Sequence, residues 1–426
     1  MSQITRRDVL RAGSVALAFP MFIPARLLKA DAPGNKITVG FIGTGSHGTG
    51  HNLTRYLQMP DARVLAVCDV DANHLRRAKQ MVDKAYGNAD CMATRDFREV
   101  LARQDIDAVM ISTPDHWHTL ISVMAVRAGK DVQCEKPTLT IDEGKLLIEA
   151  VRKHKKVFQT STEDRSLGVY RRMVELVRNG RIGKVRKVEV ILPRQPTVPG
   201  DPTPQPVPPE LDWDMWLGPA PEAPYTKDRV HFNFRWIQDY SGGIICDWGT
   251  HLFDTAQWGL NVELSGPVEI EGTGTFWTSG LYNTVKDYDV AYRYADGVVM
   301  TCKPGNPSIR FIGTDGWVGN SGWNAPVEAS SPEILNAKIG PAEPFHVTAN
   351  PAGEHRDFLD CVKSRKDPYF PVDVGHRVST VCHLANIAIQ TGRKLKWDPV
   401  KEEFINDEAA NALRKLRPMR KPWTLT

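Results

Sequence analysis

Three short clusters in this chain hold residue types that could do chemistry. Gly43-Thr44-Gly45-Ser46-His47-Gly48 has the spacing G-x-G-x-x-G and directly follows the β-branched, apolar run Lys36 to Ile42. Glycines at those places permit a tight turn and let backbone N–H groups approach a pyrophosphate, whose charge is favoured at the N-terminus of the next helix. Asp69 stands 21 residues beyond Gly48, at the end of a second apolar run. A carboxylate there can accept from adenosine ribose hydroxyls and repel a 2′-phosphate. Loop and acid together predict a dinucleotide site, for NAD in preference to NADP, with Arg76 and Arg77 as the residues that would favour the phosphate.

The second cluster is Glu135-Lys136-Pro137, and the third holds Asp247 and His251, four residues apart. Oxidising a secondary alcohol removes a hydride from carbon while the hydroxyl loses a proton, so the site needs a base near the hydroxyl and a positive group for the developing alkoxide. Lys136 and His251 can supply both. If their stretch is helical, Asp247 and His251 share one face, and the carboxylate can orient the imidazole or accept a substrate hydroxyl. Lys136 leaves a strand end beside the expected nicotinamide, where positive charge would lower its pKa toward working pH.

Alternating elements must position these groups. Strands are expected at Arg63 to Cys68, Ala108 to Ser112, Asp131 to Cys134 and Val157 to Gln159. Helices are expected at Gly48 to Met59, Ala72 to Ala85, His118 to Ala128 and Ile141 to His154. That order predicts an α/β Rossmann domain with a doubly wound parallel sheet over residues 36–160. Residues 161–426 follow as an α+β substrate domain. Period-two runs at Val268 to Trp277, Tyr288 to Tyr294, Gly297 to Cys302 and Ile309 to Ile312 give it a large, mainly antiparallel sheet. Helices are expected at Val169 to Arg178, Glu354 to Val362 and Gly375 to Gln390, and a strand at Val185 to Leu192. Between them the proline-rich stretch from Pro193 to Pro224 reads as a long surface excursion, a lid or an oligomer arm.

A net charge of +4, dispersed along the chain, excludes an electrostatic nucleic-acid footprint. The seven cysteines are scattered and read as buried small hydrophobes. His116 and His118 alternate on a short loop without a third ligand, so no metal is expected there. At the N-terminus, Thr5-Arg6-Arg7-Asp8-Val9-Leu10 precedes an Ala/Gly-rich apolar stretch, and residues 1–32 resemble a twin-arginine signal peptide. This predicts a periplasmic or otherwise exported protein with no membrane attachment after export. Substrates of that route cross folded, so a dinucleotide bound in the cytoplasm could travel with the protein.

Two further stretches carry a family resemblance. Thr113-Pro114-Asp115-His116-Trp117-His118 and Glu135-Lys136-Pro137 resemble the cofactor-side motifs of the glucose-fructose oxidoreductase and inositol dehydrogenase (Gfo/Idh/MocA) family. Gly242-Gly243 through Asp247-Trp248-Gly249-Thr250-His251 to Asp254 resembles the substrate-domain motif of that family. The resemblance implies a sugar or glycoside substrate and a homo-oligomer. It implies that Thr113, Pro114, His116, His118 and Glu135 lie at the cofactor, with the two histidines at the nicotinamide ribose and substrate pocket. It makes Lys136 the group that binds or protonates the reacting oxygen and His251 the acid/base. It places Arg165 and Tyr170 among the substrate contacts, although Arg165 has Glu163 and Asp164 as alternative partners. Trp117, like Trp213, Trp216, Trp236 and Trp248, offers a ring for a sugar's C–H face or for core packing. Two activities fit: an NAD(H)-dependent oxidoreductase acting on a secondary hydroxyl, or a redox-assisted glycoside hydrolase or lyase that oxidises C3, eliminates and re-reduces.

Overall fold

The computed structural model describes residues 36–347 and 352–425; the leader read as an export signal lies outside the described residues. Six strands form the first sheet: β1 (Ile37–Ile42), β2 (Ala62–Cys68), β3 (Met92–Thr94), β4 (Ala108–Ile111), β5 (Asp131–Glu135) and β6 (Phe158–Ser161). Their order is β3-β2-β1-β4-β5-β6, every pairing parallel. Helices on both faces bury β1 and β4 almost completely, which is why these strands read as continuous apolar runs. Strand order reverses between β1 and β4, so a crevice opens beyond their carboxyl ends. β3 and the helix Phe97–Ala102 escape a reading of periodicity because each is too short to show one.

The second sheet has nine strands in the order β13-β12-β11-β7-β10-β9-β8-β14-β15. They are β7 (Val185–Pro193), β8 (Glu269–Thr275), β9 (Asp287–Arg293), β10 (Val299–Gly305), β11 (Ser308–Gly313), β12 (Trp317–Gly319), β13 (Glu328–Ala329), β14 (Leu395–Asp398) and β15 (Glu403–Phe404). β7 and β10 run parallel and the other pairings are antiparallel. β9 alternates buried Tyr288, Val290 and Tyr292 with outward-facing residues, the pattern that makes the strand legible in sequence. Helices Gly168–Arg178, Gly249–Leu260 and Val372–Thr391 cover the buried face. All seven cysteines are buried and unpaired.

The proline-rich excursion is a clasp, not a free arm. Its end folds onto the Rossmann domain: Leu211 bridges to Asp71, and the amide of Ala72 donates to the Glu210 carbonyl at 2.9 Å. Arg95 donates to the carbonyls of Val70 and Glu210 at 2.8 and 2.9 Å. The short helix Trp213–Leu217 then buries Trp216 and Leu217. The C-terminal part of the chain also crosses back. Phe358 and Leu359, on the helix Glu354–Ser364, share a core cluster with Phe41 and Val64 of β1 and β2. Among the described residues no helix is long and apolar enough to cross a membrane.

Candidate active site

A cavity of about 780 Å³ lies where the two domains meet, at the carboxyl ends of β1, β2, β4 and β5. The glycine loop forms one wall. Gly43 has φ +86°, and a Cβ there would stand 2.6 Å from the Ser112 carbonyl; one on Gly48 would stand 2.4 Å from the Gly43 oxygen. Gly45 differs, since its Cβ would meet nothing nearer than His74 at 3.9 Å. The first and third glycines therefore allow the turn to pack, while the second leaves its backbone bare toward the cavity, as a bound pyrophosphate requires. Gly43, Gly45, Ser46, His47 and Gly48 line the wall; Thr44 is buried behind it.

Asp69 reaches the same wall from the end of β2. Its Oδ2 accepts from the Thr44 amide at 2.7 Å and the Thr44 hydroxyl at 3.2 Å, and its Oδ1 accepts from the Asp71 amide at 2.9 Å. The carboxylate thus holds the glycine loop as well as facing the cavity. Arg77 lines the cavity near Thr44, whereas Arg76 turns to Asn73.

The opposite end gathers Lys136, Asp247 and His251. Lys136 Nζ donates to Asp247 Oδ1 at 2.8 Å and to the Asp247 carbonyl at 2.6 Å. Arg235 Nε donates to Asp247 Oδ2 at 2.9 Å. Burial opposes charge on both partners. For Lys136 the carboxylates of Asp247 and Glu135 outweigh it and hold the ammonium above its ordinary value, which corrects the expectation of a lowered pKa. For Asp247 the cations of Lys136 and Arg235 outweigh it and hold the carboxyl well below the usual range.

Asp247 also does not orient His251. The two residues sit on separate helical segments, Ile244–Asp247 and Gly249–Leu260, and both carboxylate oxygens are taken by the cations. His251 Nδ1 instead meets Thr162 Oγ1 at 2.8 Å, with Glu163 at 3.7 Å and Asp164 at 3.9 Å. Burial and the Lys136 ammonium push this imidazole down to about 4, so it is neutral at physiological pH.

Loops around these groups are cross-braced. Glu135 Oε1 lies 3.2 Å from His47 Nε2 and accepts from Asn52 Nδ2 at 3.0 Å. His118 places its ring nitrogens 2.9 Å from the Pro137 carbonyl and 2.8 Å from the Thr113 carbonyl. Thr113, Pro114 and His118 all face the cavity.

Other expected contacts lie elsewhere. His116 is buried against the Trp216 carbonyl at 3.1 Å and does not line the cavity. Trp117 reaches the wall but packs edge-on against Phe97 and Trp423, with its N–H donated to the Trp216 carbonyl. Arg165 is buried and does not line the cavity; it donates to both oxygens of Asp254 at 2.7 and 2.6 Å and meets Glu263 at 2.8 Å, in place of Glu163 or Asp164. Tyr170 is fully buried, its hydroxyl accepting from the Asn324 amide at 3.2 Å. Sequence reasoning missed Arg235, Glu163 and Trp323, which line the Lys136 end. Arg235 lies on the short 3-10 helix His231–Trp236 and Glu163 and Trp323 in a bend and a turn, elements too short to show periodicity, and only the fold brings them to Asp247 and His251.

Fold and cavity define a dinucleotide-binding oxidoreductase scaffold, and comparison with known proteins agrees. Residues 37–162 match the NAD-binding Rossmann fold of the Gfo/Idh/MocA oxidoreductase family, and residues 200–425 match its C-terminal alpha/beta domain. The chain belongs to this family. It is 29% identical over 230 residues to the myo-inositol 2-dehydrogenase of Thermotoga maritima, covering 53% of this chain and 55% of that protein. It is 37% identical over 112 residues to a glycosyl hydrolase family 109 protein of Saccharopolyspora erythraea, covering 25% and 24%. The chain spans less than two thirds of the length of the curated relatives it matches. Its fold is similar to that of the WlbA dehydrogenase from Bordetella pertussis, solved with NADH and UDP-GlcNAcA, with a TM-score of 0.63 at 16% identity over 85% of this chain and 99% of that one.

Proposed function

We propose that the protein is an NAD(H)-dependent oxidoreductase acting on a secondary hydroxyl of a sugar or glycoside. The observation that carries this reading is the convergence, at one end of a glycine-loop cavity, of Lys136 held by Asp247 and His251 held by Thr162. When bound, NAD supplies the acceptor for the hydride. Lys136 has three N–H donors; two point to Asp247, and the third is free to hold the reacting oxygen. Because Asp247 and Glu135 keep it charged and Asp247 positions it, Lys136 stabilises negative charge on that oxygen and does not serve as the base. His251, neutral and engaged at Nδ1 by Thr162, takes the hydroxyl proton at Nε2. NAD is favoured over NADP because the Asp69 carboxylate would repel a 2′-phosphate beside it.

The similarity to glycosyl hydrolase family 109 proteins supports a second reading, a redox-assisted glycoside hydrolase or lyase using the same residues. One experiment separates them: nicotinamide absorbance is followed against a panel of glycosides beside product release. Net consumption of added NAD supports the dehydrogenase; release of aglycone with the cofactor retained supports the second reading. No spectral change and no bound nucleotide on denaturation would sink both. Export by the twin-arginine route and homo-oligomerisation belong to the same proposal, and are checked by fractionation with Arg6→Lys/Arg7→Lys and by light scattering.

A further inference from the structure

Part of the cavity wall is His51, and behind it Glu354 and His355 complete a cluster that the proposed reaction does not use. His51 follows the glycine loop, while Glu354 and His355 open the helix Glu354–Ser364 that packs back on β1 and β2. His51 Nε2 lies 2.9 Å from Glu354 Oε1, and His355 Nδ1 lies 3.1 Å from the same oxygen. The three candidate ligand atoms are all within 4.8 Å of one another. Glu354 and His355 are 4% and 3% exposed, and His51, on the cavity side, is 26% exposed.

Hydrogen-bond direction fixes how His355 is held. Asn52 Nδ2 donates to Glu135 Oε1 at 3.0 Å and to Ser112 Oγ at 2.9 Å. A carboxylate only accepts, so the amide has one orientation, and Asn52 Oδ1 faces His355 Nε2 at 2.8 Å. Asn52 therefore engages His355 at Nε2 and leaves Nδ1 facing the Glu354 carboxylate oxygen. A ring nitrogen and a carboxylate oxygen at that distance can share a metal ion that also reaches His51.

Two imidazole nitrogens and one carboxylate oxygen form a donor set for a borderline divalent metal. Ligand atoms on a tetrahedral ion with bonds of roughly 2.0–2.1 Å lie about 3.3 Å apart, close to the separations of the two ring nitrogens from the Glu354 oxygen. The far nitrogen of His355 is held by Asn52, which Glu135 holds in turn, as metal-binding histidines usually are. A second trio, Asp71, His74 and His231, is less suited, because Asp71 Oδ1 already accepts from the amides of Asn73 and His74.

We propose that His51 Nε2, the Glu354 carboxylate and His355 Nδ1 bind one divalent transition-metal ion of the zinc class, with the remaining position open on the His51 side. The ion would tie the helix after the glycine loop to the helix Glu354–Ser364. The test uses the full chain, purified without metal-affinity resin and analysed by inductively coupled plasma mass spectrometry. Metal-stripped protein is then titrated with Co²⁺ and followed by its visible d–d bands. One equivalent of metal per chain and a saturable Co²⁺ spectrum are expected, both lost in His51→Ala and Glu354→Gln while near-ultraviolet circular dichroism stays that of the wild type. Should Glu354→Gln not fold, His51→Ala decides alone, its side chain lying at the cavity wall. Metal no higher than the buffer blank with no Co²⁺ spectrum would overturn the proposal. Metal retained undiminished in His51→Ala would overturn it equally, by placing the ion elsewhere.

Discussion

At the Asp69 end of the cavity the decisive contacts are made within one strand-helix-strand unit, whereas at the Lys136 end they cross between domains. Asp69 accepts from Thr44 and Asp71, 25 and 2 residues away. Lys136 and Asp247 are 111 residues apart, and Thr162 and His251 are 89 apart. The first end depends on backbone geometry that glycine alone permits. The second depends on charges brought together by domain packing, so its chemistry rests on interactions that single substitutions can remove.

If that contrast is right, Lys136→Ala has the largest effect. Turnover should fall by roughly 10²- to 10⁴-fold while bound nucleotide is retained, as read by single-turnover reduction of bound NAD with a glycoside. Reduction at the wild-type rate would remove Lys136 from the chemistry. The same variant sharpens the assignment of His251. Burial and Lys136 hold that imidazole at about 4, so the acid limb of the wild-type rate profile should lie near 4, the base being active above this value and lost as pH falls through it. Removing the ammonium should move the limb upward toward the ordinary 6.5.

Arg165→Ala comes next and tests a boundary of the site. Leaving Asp254 buried without its guanidinium should cost about 3–5 kcal/mol of stability in urea unfolding. Folded variant, isolated at low temperature, should keep the wild-type KM; a raised KM with unchanged stability would return Arg165 to the substrate.

Asp247→Asn keeps the shape but removes the charge between Lys136 and Arg235. Turnover should fall about 10- to 100-fold, the loss of a charge-assisted contact of roughly 1.5–3 kcal/mol, with NAD affinity unchanged by calorimetry. The smallest effect is expected at the other end. Asp69→Ala should weaken NAD by about 1–2 kcal/mol through loss of its contact and loosening of Thr44, with kcat at saturating cofactor near wild type. An effect on kcat larger than that of Asp247→Asn would break the division between the two ends.

The glycine spacing, the buried strands and the acid 21 residues beyond Gly48 are local patterns, and a chain carries such patterns in its order of residues. β-branched runs ending in glycine become buried strands with tight turns, which is why the Rossmann half was legible, as alternation made β9 legible; Lys136, Asp247 and His251 stand out by their chemistry, and the fold brings all three to one cavity. Their roles were not equally legible. The four-residue spacing suggested that Asp247 orients His251, but a break at Trp248 and two cations near Asp247 direct the carboxylate elsewhere.

Which charge meets which was decided by tertiary structure alone. Arg165 sits beside Glu163 and Asp164 in the chain yet pairs with Asp254, because helix packing places that carboxylate within reach in a dry interior. Arg235 stands in an aperiodic aromatic segment, and nothing local ties it to Asp247. Order along the chain determines backbone conformation through sterics and burial. Electrostatic partnership depends on distance and solvent exclusion, and these exist only once distant segments of the chain have packed together.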